Sequence, residues 1–231
     1  MPTASGTVTA APVTSDTWLY QQEPATNHGF GSATAGDLYL QRSAIGATAR
    51  IVLQWDLSAT VDPTVRATTV VTGSSISLTD SDGSGSGTIE LRFYNQNTSV
   101  EAATWNDGLR DGQVSPPAAT WTFTAGIGAQ TIPNSAELDA LIQEGIRNHG
   151  SVITLVLQYT GDIGAPAATA NFAPLEDAAQ EAQLSFSWSV PGVDTGTTNA
   201  TTSGPVRRHG GMRARPTVMG TAFLLGGGIP K

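Results

Sequence analysis

The stretch that most constrains the fold is Arg50-Ile-Val-Leu-Gln-Trp-Asp-Leu-Ser58. Ile51, Leu53, Trp55 and Leu57 recur at every second position, the period of a strand with one face on a core. Arg50, Gln54, Asp56 and Ser58 alternate with them, and Val52 is the one apolar residue on that second face. Asp56-Leu57-Ser58 ends the run with a side chain suited to turning the backbone. Strand-like runs on both flanks make it a central strand of a sandwich. Alone, the stretch specifies an architecture and no chemistry.

The same period recurs along the chain. Residues 16–20 form a first strand after a small, polar arm over residues 1–15, and residues 38–40 a short second one. Residues 68–72 and 76–78 are β-rich, with Gly73 between them as a bulge or kink. Residues 79–87 are a loop, and 88–94 alternate with Ile89, Leu91 and Phe93 inward, so the two flanks predict a hairpin. Residues 95–118 are a long connection, and 120–124 a strand with Trp121 and Phe123 on one face. Residues 152–159 and 183–190 complete about eight strands.

One helix is expected, at about 135–148. Asn134 is placed as N-cap with Glu137 three residues on, and Leu138, Leu141, Ile142, Gly145 and Ile146 form one apolar stripe. Arg147 and His149 lie near its negative end, with Gly150 as the stop. The sum is an all-β, jelly-roll-type sandwich over residues 16–190 with one covering helix.

Charge divides the chain in two. Residues 1–190 hold six arginines against 18 acidic residues, a balance of −12. Residues 191–231 hold Arg207, Arg208, Arg213, Arg215 and Lys231 against Asp194, a balance of +4. A −12 body argues against nucleic acid, whose phosphates need a basic surface. With no cysteine there is no disulfide framework and no thiolate metal site. Met1-Pro-Thr-Ala-Ser-Gly6 lacks the basic and apolar regions of a secretory signal, and no apolar run is long enough to cross a bilayer. The expectation is a protein that does not enter a membrane.

Residues 191–205 are a polar linker, and 206–231 combine four arginines with apolar Val218, Met219, Phe223, Leu224 and Leu225. On a lone monomer those apolar residues would be a liability. They predict an anchor arm that adds a strand to a neighbour's sheet edge while the arginines meet carboxylates. The competing reading is a dispensable polar end.

The order of local motifs resembles the DNRLRE domain, a β-sandwich family similar to certain carbohydrate-binding modules. The residues that carry the resemblance are Asp16-Thr-Trp-Leu19, Asn27-His-Gly29, Leu38-Tyr-Leu40, Trp55-Asp-Leu-Ser58, Glu101-Ala-Ala-Thr-Trp-Asn106, residues 153–157 before Phe172-Ala-Pro-Leu-Glu176, and residues 184–188. It covers about residues 16–190. The arginine-rich strand entry usual before the hub is reduced to Arg50, and residues 191–231 lie outside the family pattern. A stand-alone copy with a basic arm fits a tailed-bacteriophage virion protein, in capsid decoration or in the tail and its fibres. The expected partners are other virion proteins and copies of the chain itself.

The resemblance also implies a second reading, a carbohydrate-binding module for adhesion. Tyr94, Trp105 and Trp121 are the candidate stacking faces, Tyr94 because its strand turns it outward, with the alternative that the two tryptophans are core or corner residues. His28, His149 and His209 lack metal-ligand spacing. Asp80-Ser-Asp-Gly-Ser-Gly85 begins like a calcium loop, but its twelfth position is Leu91, so it reads as a hairpin tip. Glu101 beside Trp105 has no placed partner carboxylate, leaving no basis for glycosidase chemistry. No cofactor and no catalytic residue is expected.

Overall fold

A computed structural model describes residues 5–28, 37–42, 48–95, 98–108, 116–160, 167–177 and 179–191. The strands are β1 (Ser5–Pro12), β2 (Ser15–Tyr20), β3 (Leu38–Arg42), β4 (Thr48–Asp56), β5 (Val70–Asp80), β6 (Ser86–Phe93), β7 (Ala119–Thr124), β8 (Gly128–Ile132), β9 (Val152–Tyr159), β10 (Ala168–Phe172) and β11 (Gln183–Ser189). Among the described residues one α-helix, α1 (Ala136–Asn148), lies between β8 and β9. It is too short to cross a membrane, as is any other helix among the described residues.

All pairings are antiparallel, in the order β1-β11-β5-β10-β3-β4-β9-β6-β7, with β2 on β4 and β8 on β5. The ladder rolls back on itself. Phe172 of β10 meets Phe123 of β7 edge-on with ring centroids 5.4 Å apart, although the two strands lie far apart in that order. The outcome is an all-β sandwich with one helix, as the alternation predicts.

The hub becomes β4, paired with β2 on one side and β9 on the other. Ile51, Leu53, Trp55 and Leu57 join a core that runs from Val8 to Val190 and includes the helix stripe Leu138, Leu141, Ile142 and Ile146. Val52 is buried on the opposite face in a second cluster with Leu19, Val100, Ala103 and Val156. That cluster explains an apolar residue on an otherwise polar face: the segment after β6 folds back over it. Asn27 Nδ2 donates to Glu101 O at 2.6 Å, and Val100 N donates to Ser15 Oγ at 2.8 Å, tying the covering segment to β2 and its following loop.

Several expectations change. Within the segment read as an arm, residues 5–12 form β1, which pairs along β11 from Ser5↔Ser189 to Pro12↔Gln183, while residues 1–4 lie outside the described residues. With β8 and β10 this makes eleven strands among the described residues rather than about eight. β5 and β6 form no hairpin: β5 pairs with β8, β10 and β11, while β6 pairs with β7 and β9. The loop between them crosses from one layer to the other. The helix is capped by Ser135, whose side chain accepts from Leu138 N at 3.1 Å, and Asn134 donates to Asp139 instead. Gly73 is a bulge as expected, with φ +69° where the β5–β11 register shifts between Ser185 and Ser187.

Candidate functional site

The outer face of β4, β9 and β6 carries a cleft of about 350 Å³, lined by Arg42, Thr48, Arg50, Glu90, Arg92, Gln158, Tyr159 and Thr160. Register brings these residues together: Arg42 pairs with Thr48, Glu90 with Gln158, and Arg92 with Val156. Half of the six arginines in residues 1–190 therefore converge on one place. The volume lies near the small end of ligand pockets, about 300–1,000 Å³.

Each guanidinium is held. Arg92 reaches Glu90 Oε2 through Nε at 3.0 Å and Nη2 at 2.9 Å. Arg42 donates to Thr160 O and lies over the Tyr159 ring, 5.7 Å from its centroid. Arg50 lies over Trp105 at 5.1 Å. Gln158 Nε2 donates to Glu90 at 2.8 Å, while Gln158 Oε1 is buried without a hydrogen-bond partner among the described residues. Burial pushes the Tyr159 hydroxyl up to about 12, with Arg42 acting in the opposite sense, so it stays neutral. The cleft offers fixed guanidinium donors, which suit a carboxylate or phosphate group. Its one carboxylate is engaged by Arg92 and Gln158.

The aromatic candidates separate. Tyr94 and Trp105 are half-buried, and each packs against the second cluster. Trp105 opens a short 3₁₀ turn, Trp105–Asp107, in which Asp107 accepts from Thr104 N at 2.6 Å and Thr104 Oγ1 at 2.8 Å. Trp121 is not a surface platform. It is 6% exposed, and its ring packs on Phe123 and Phe172, because its face of β7 points into the sandwich.

The remaining polar candidates have structural roles. His28 stacks on Trp18 with centroids 3.8 Å apart, and burial lowers its proton affinity against the pull of Glu23. His149 contacts Glu144 Oε1 at 3.1 Å and tilts against Phe93. Asp80 is buried and accepts from the Asp82, Gly83 and Gly126 amides. Asp82 accepts from Ser84 and Asn171; burial pushes its pKa up, but these bonds outweigh it and hold it below the ordinary carboxylate range. The segment is a turn braced by its own carboxylates, though between layers rather than at a hairpin tip. Among the described residues no group of three or more His, Cys, Asp or Glu side chains can hold a metal.

Arg207, Arg208, Arg213, Arg215, Val218, Met219, Phe223, Leu224, Leu225 and His209 lie outside the described residues. Of the cleft, sequence reasoning singled out Arg50 alone. The available signal was that arginines scarce in a −12 body recur inside strands, at 42, 50 and 92. The chain matches no protein-family model and no curated protein.

Proposed function

We propose that this protein is a non-enzymatic structural component of a bacteriophage virion, a capsid decoration or a part of the tail or its fibres, held by residues 206–231. The observation that carries the reading is a division of labour. The apolar core is built between Val8 and Val190, so the sandwich supplies its own packing. Residues 206–231 carry arginines and apolar side chains with a charge opposite to the body's. Electrostatic complementarity of this kind favours docking between chains. Deleting 206–231 is expected to leave the unfolding temperature of the sandwich within a few degrees of the full chain and to abolish incorporation into particles. Normal incorporation of the truncated chain would refute the anchor.

A second reading, glycan adhesion, is favoured by one observation: Trp105 is half-buried with the cleft residue Arg50 over its ring, and Tyr94 is half-buried against the same cluster. An aromatic face stacked on a sugar contributes on the order of 1 kcal/mol beyond area burial. Tyr94→Ala is then expected to weaken glycan binding by about fivefold, beyond the loss of packing against the second cluster that a thermal unfolding curve of the same variant reads. A glycan array without signal for the unaltered protein removes this reading.

A further inference from the structure

We infer that the free edge of β7 is where two copies of this chain join, antiparallel and around a two-fold axis, so that one sheet runs through both. This contact rests on the reading of the chain as one of many copies in an assembly, but it lies in the sandwich and not in residues 206–231.

The alternation of the backbone shows which groups of β7 are left over. Tyr94 N donates to Thr154 O, and Thr160 N donates to Thr88 O, so the even-numbered residues of β6 turn their backbone groups to β9. The odd-numbered ones turn to β7, where Gly87, Ile89 and Leu91 face Phe123, Trp121 and Ala119. The N–H and C=O groups of Thr120, Thr122 and Thr124 therefore point away from β6. Among the described residues none of these groups is bonded, and β7 pairs with β6 alone. One register satisfies all of them at once. Centred on Thr122, an antiparallel pair sets Thr122 against Thr122 of the second copy, and Thr120 against Thr124. Each of these opposed pairs exchanges two hydrogen bonds, and no edge group is left over. The same register brings the three threonines, exposed on the outer face, into cross-strand contact.

Edge strands that stay single are blunted by charges, prolines or bulges. The other edges of this sandwich carry such devices. β1 shifts register between Val8 and Ala11, with Ala10 at φ +49°, and ends at Pro12. β2 carries Asp16, whose carboxylate is tied to the Leu175 amide. β8 has five residues, begins at Gly128 with φ +107° and stops before Pro133. β7, Ala-Thr-Trp-Thr-Phe-Thr, has no charge, no proline and an unbroken register with β6. Charge also selects this edge. Residues 112–136, which hold β7 and β8, contain no Asp, Glu, Lys, Arg or His. Two bodies with a balance of −12 repel each other, and an uncharged edge lets them meet with least repulsion. Because the same strand serves both copies, the contact is isologous and closes as a dimer.

Sedimentation of the full chain is expected to show dimers that form with rising concentration. Thr122→Pro removes an N–H that points away from β6, so the β6–β7 ladder is kept while the edge loses its central donor. That variant is expected to associate at least tenfold more weakly, with an unfolding temperature within a few degrees of the unaltered chain. A second pair of variants does not depend on proline being tolerated. The chain has no cysteine, so any disulfide in a single-cysteine variant joins two copies. Residues opposed in the proposed register have Cα atoms about 5.5 Å apart, within disulfide reach. Thr122→Cys is therefore expected to give a covalent dimer under mild oxidation. Thr120→Cys lies four residues along the strand from its own counterpart, roughly 14 Å away, and is expected to stay unlinked. A monomer at all concentrations overturns the inference, as does equal linking, or no linking, of the two cysteine variants. Association that survives Thr122→Pro without a disulfide in Thr122→Cys also overturns it, belongs to residues 206–231, and leaves the anchor reading intact.

Discussion

Gly85→Ala is expected to destabilise the sandwich by more than about 3 kcal/mol, among the largest effects of any single methyl group in this chain. Gly85 sits at φ +75° in the loop that crosses from β5 to β6. An added Cβ there would overlap the carbonyl oxygen of Thr169 and lie 2.7 Å from both its carbonyl carbon and Tyr159 Oη. The Thr169 atoms are backbone in β10, a strand paired along β3 from Ala168 to Phe172, so relief requires moving a ladder and not a flexible side chain. Gly73→Ala is the control. It has a similar φ of +69° but nothing within 4 Å of the new Cβ, so it carries backbone strain of about 1 kcal/mol alone. Thermal unfolding separates the two: about a 10 °C loss for Gly85→Ala against a few degrees for Gly73→Ala. Equal losses would mean that the close approach of the loop to β10 is wrong.

The second large effect depends on pH. Asp16 is 2% exposed, and burial raises its pKa to about 7, despite the amide of Leu175 donating to it at 2.7 Å. Glu176, Glu101 and Glu181 push in the same direction as burial. Below about pH 4 the group is protonated in both folded and unfolded chains and contributes nothing. Between about 4 and 7 the unfolded chain gives up its proton while the folded chain keeps it, so stability falls as pH rises. Above 7 the loss levels off at a limit of about 4 kcal/mol. Asp16→Asn keeps an oxygen for the Leu175 amide and removes the ionisation. Denaturant titrations are therefore expected to show the variant close to the native protein at pH 4 and more stable by up to that amount at pH 8. A variant less stable at pH 8 would show that the buried carboxylate is favourable.

What the sequence made legible follows from how local each feature is. β4 and α1 carry their periodicity within a dozen residues, and Ile51, Leu53, Trp55 and the Leu138–Ile146 stripe all pack where that periodicity places them. β1, β8 and β10 escape because they are short or built of small residues. β1 reads Ser-Gly-Thr-Val-Thr-Ala-Ala-Pro with Val8 as its one buried residue, and β10 fills its inward positions with Ala168, Ala170 and Phe172. An edge strand and a strand of alanines produce almost no hydrophobic alternation to detect. The expected β5–β6 hairpin fails for a different reason. A turn sequence shows that the chain reverses, but not which sheet it enters next. The cleft is harder still, since Arg42, Arg50 and Arg92 meet only through pairings that span the chain. Trp121 illustrates the remaining ambiguity: on an alternating strand the same spacing serves a core and a platform, and packing against Phe123 and Phe172 selects the core.

The most direct test of the account is photocrosslinking from position 223, with a benzophenone amino acid in place of Phe223, in assembled particles. A covalent adduct with a second polypeptide is expected, either another copy or a different component of the particle. Adducts confined to residues 5–191 of the same chain would contradict it.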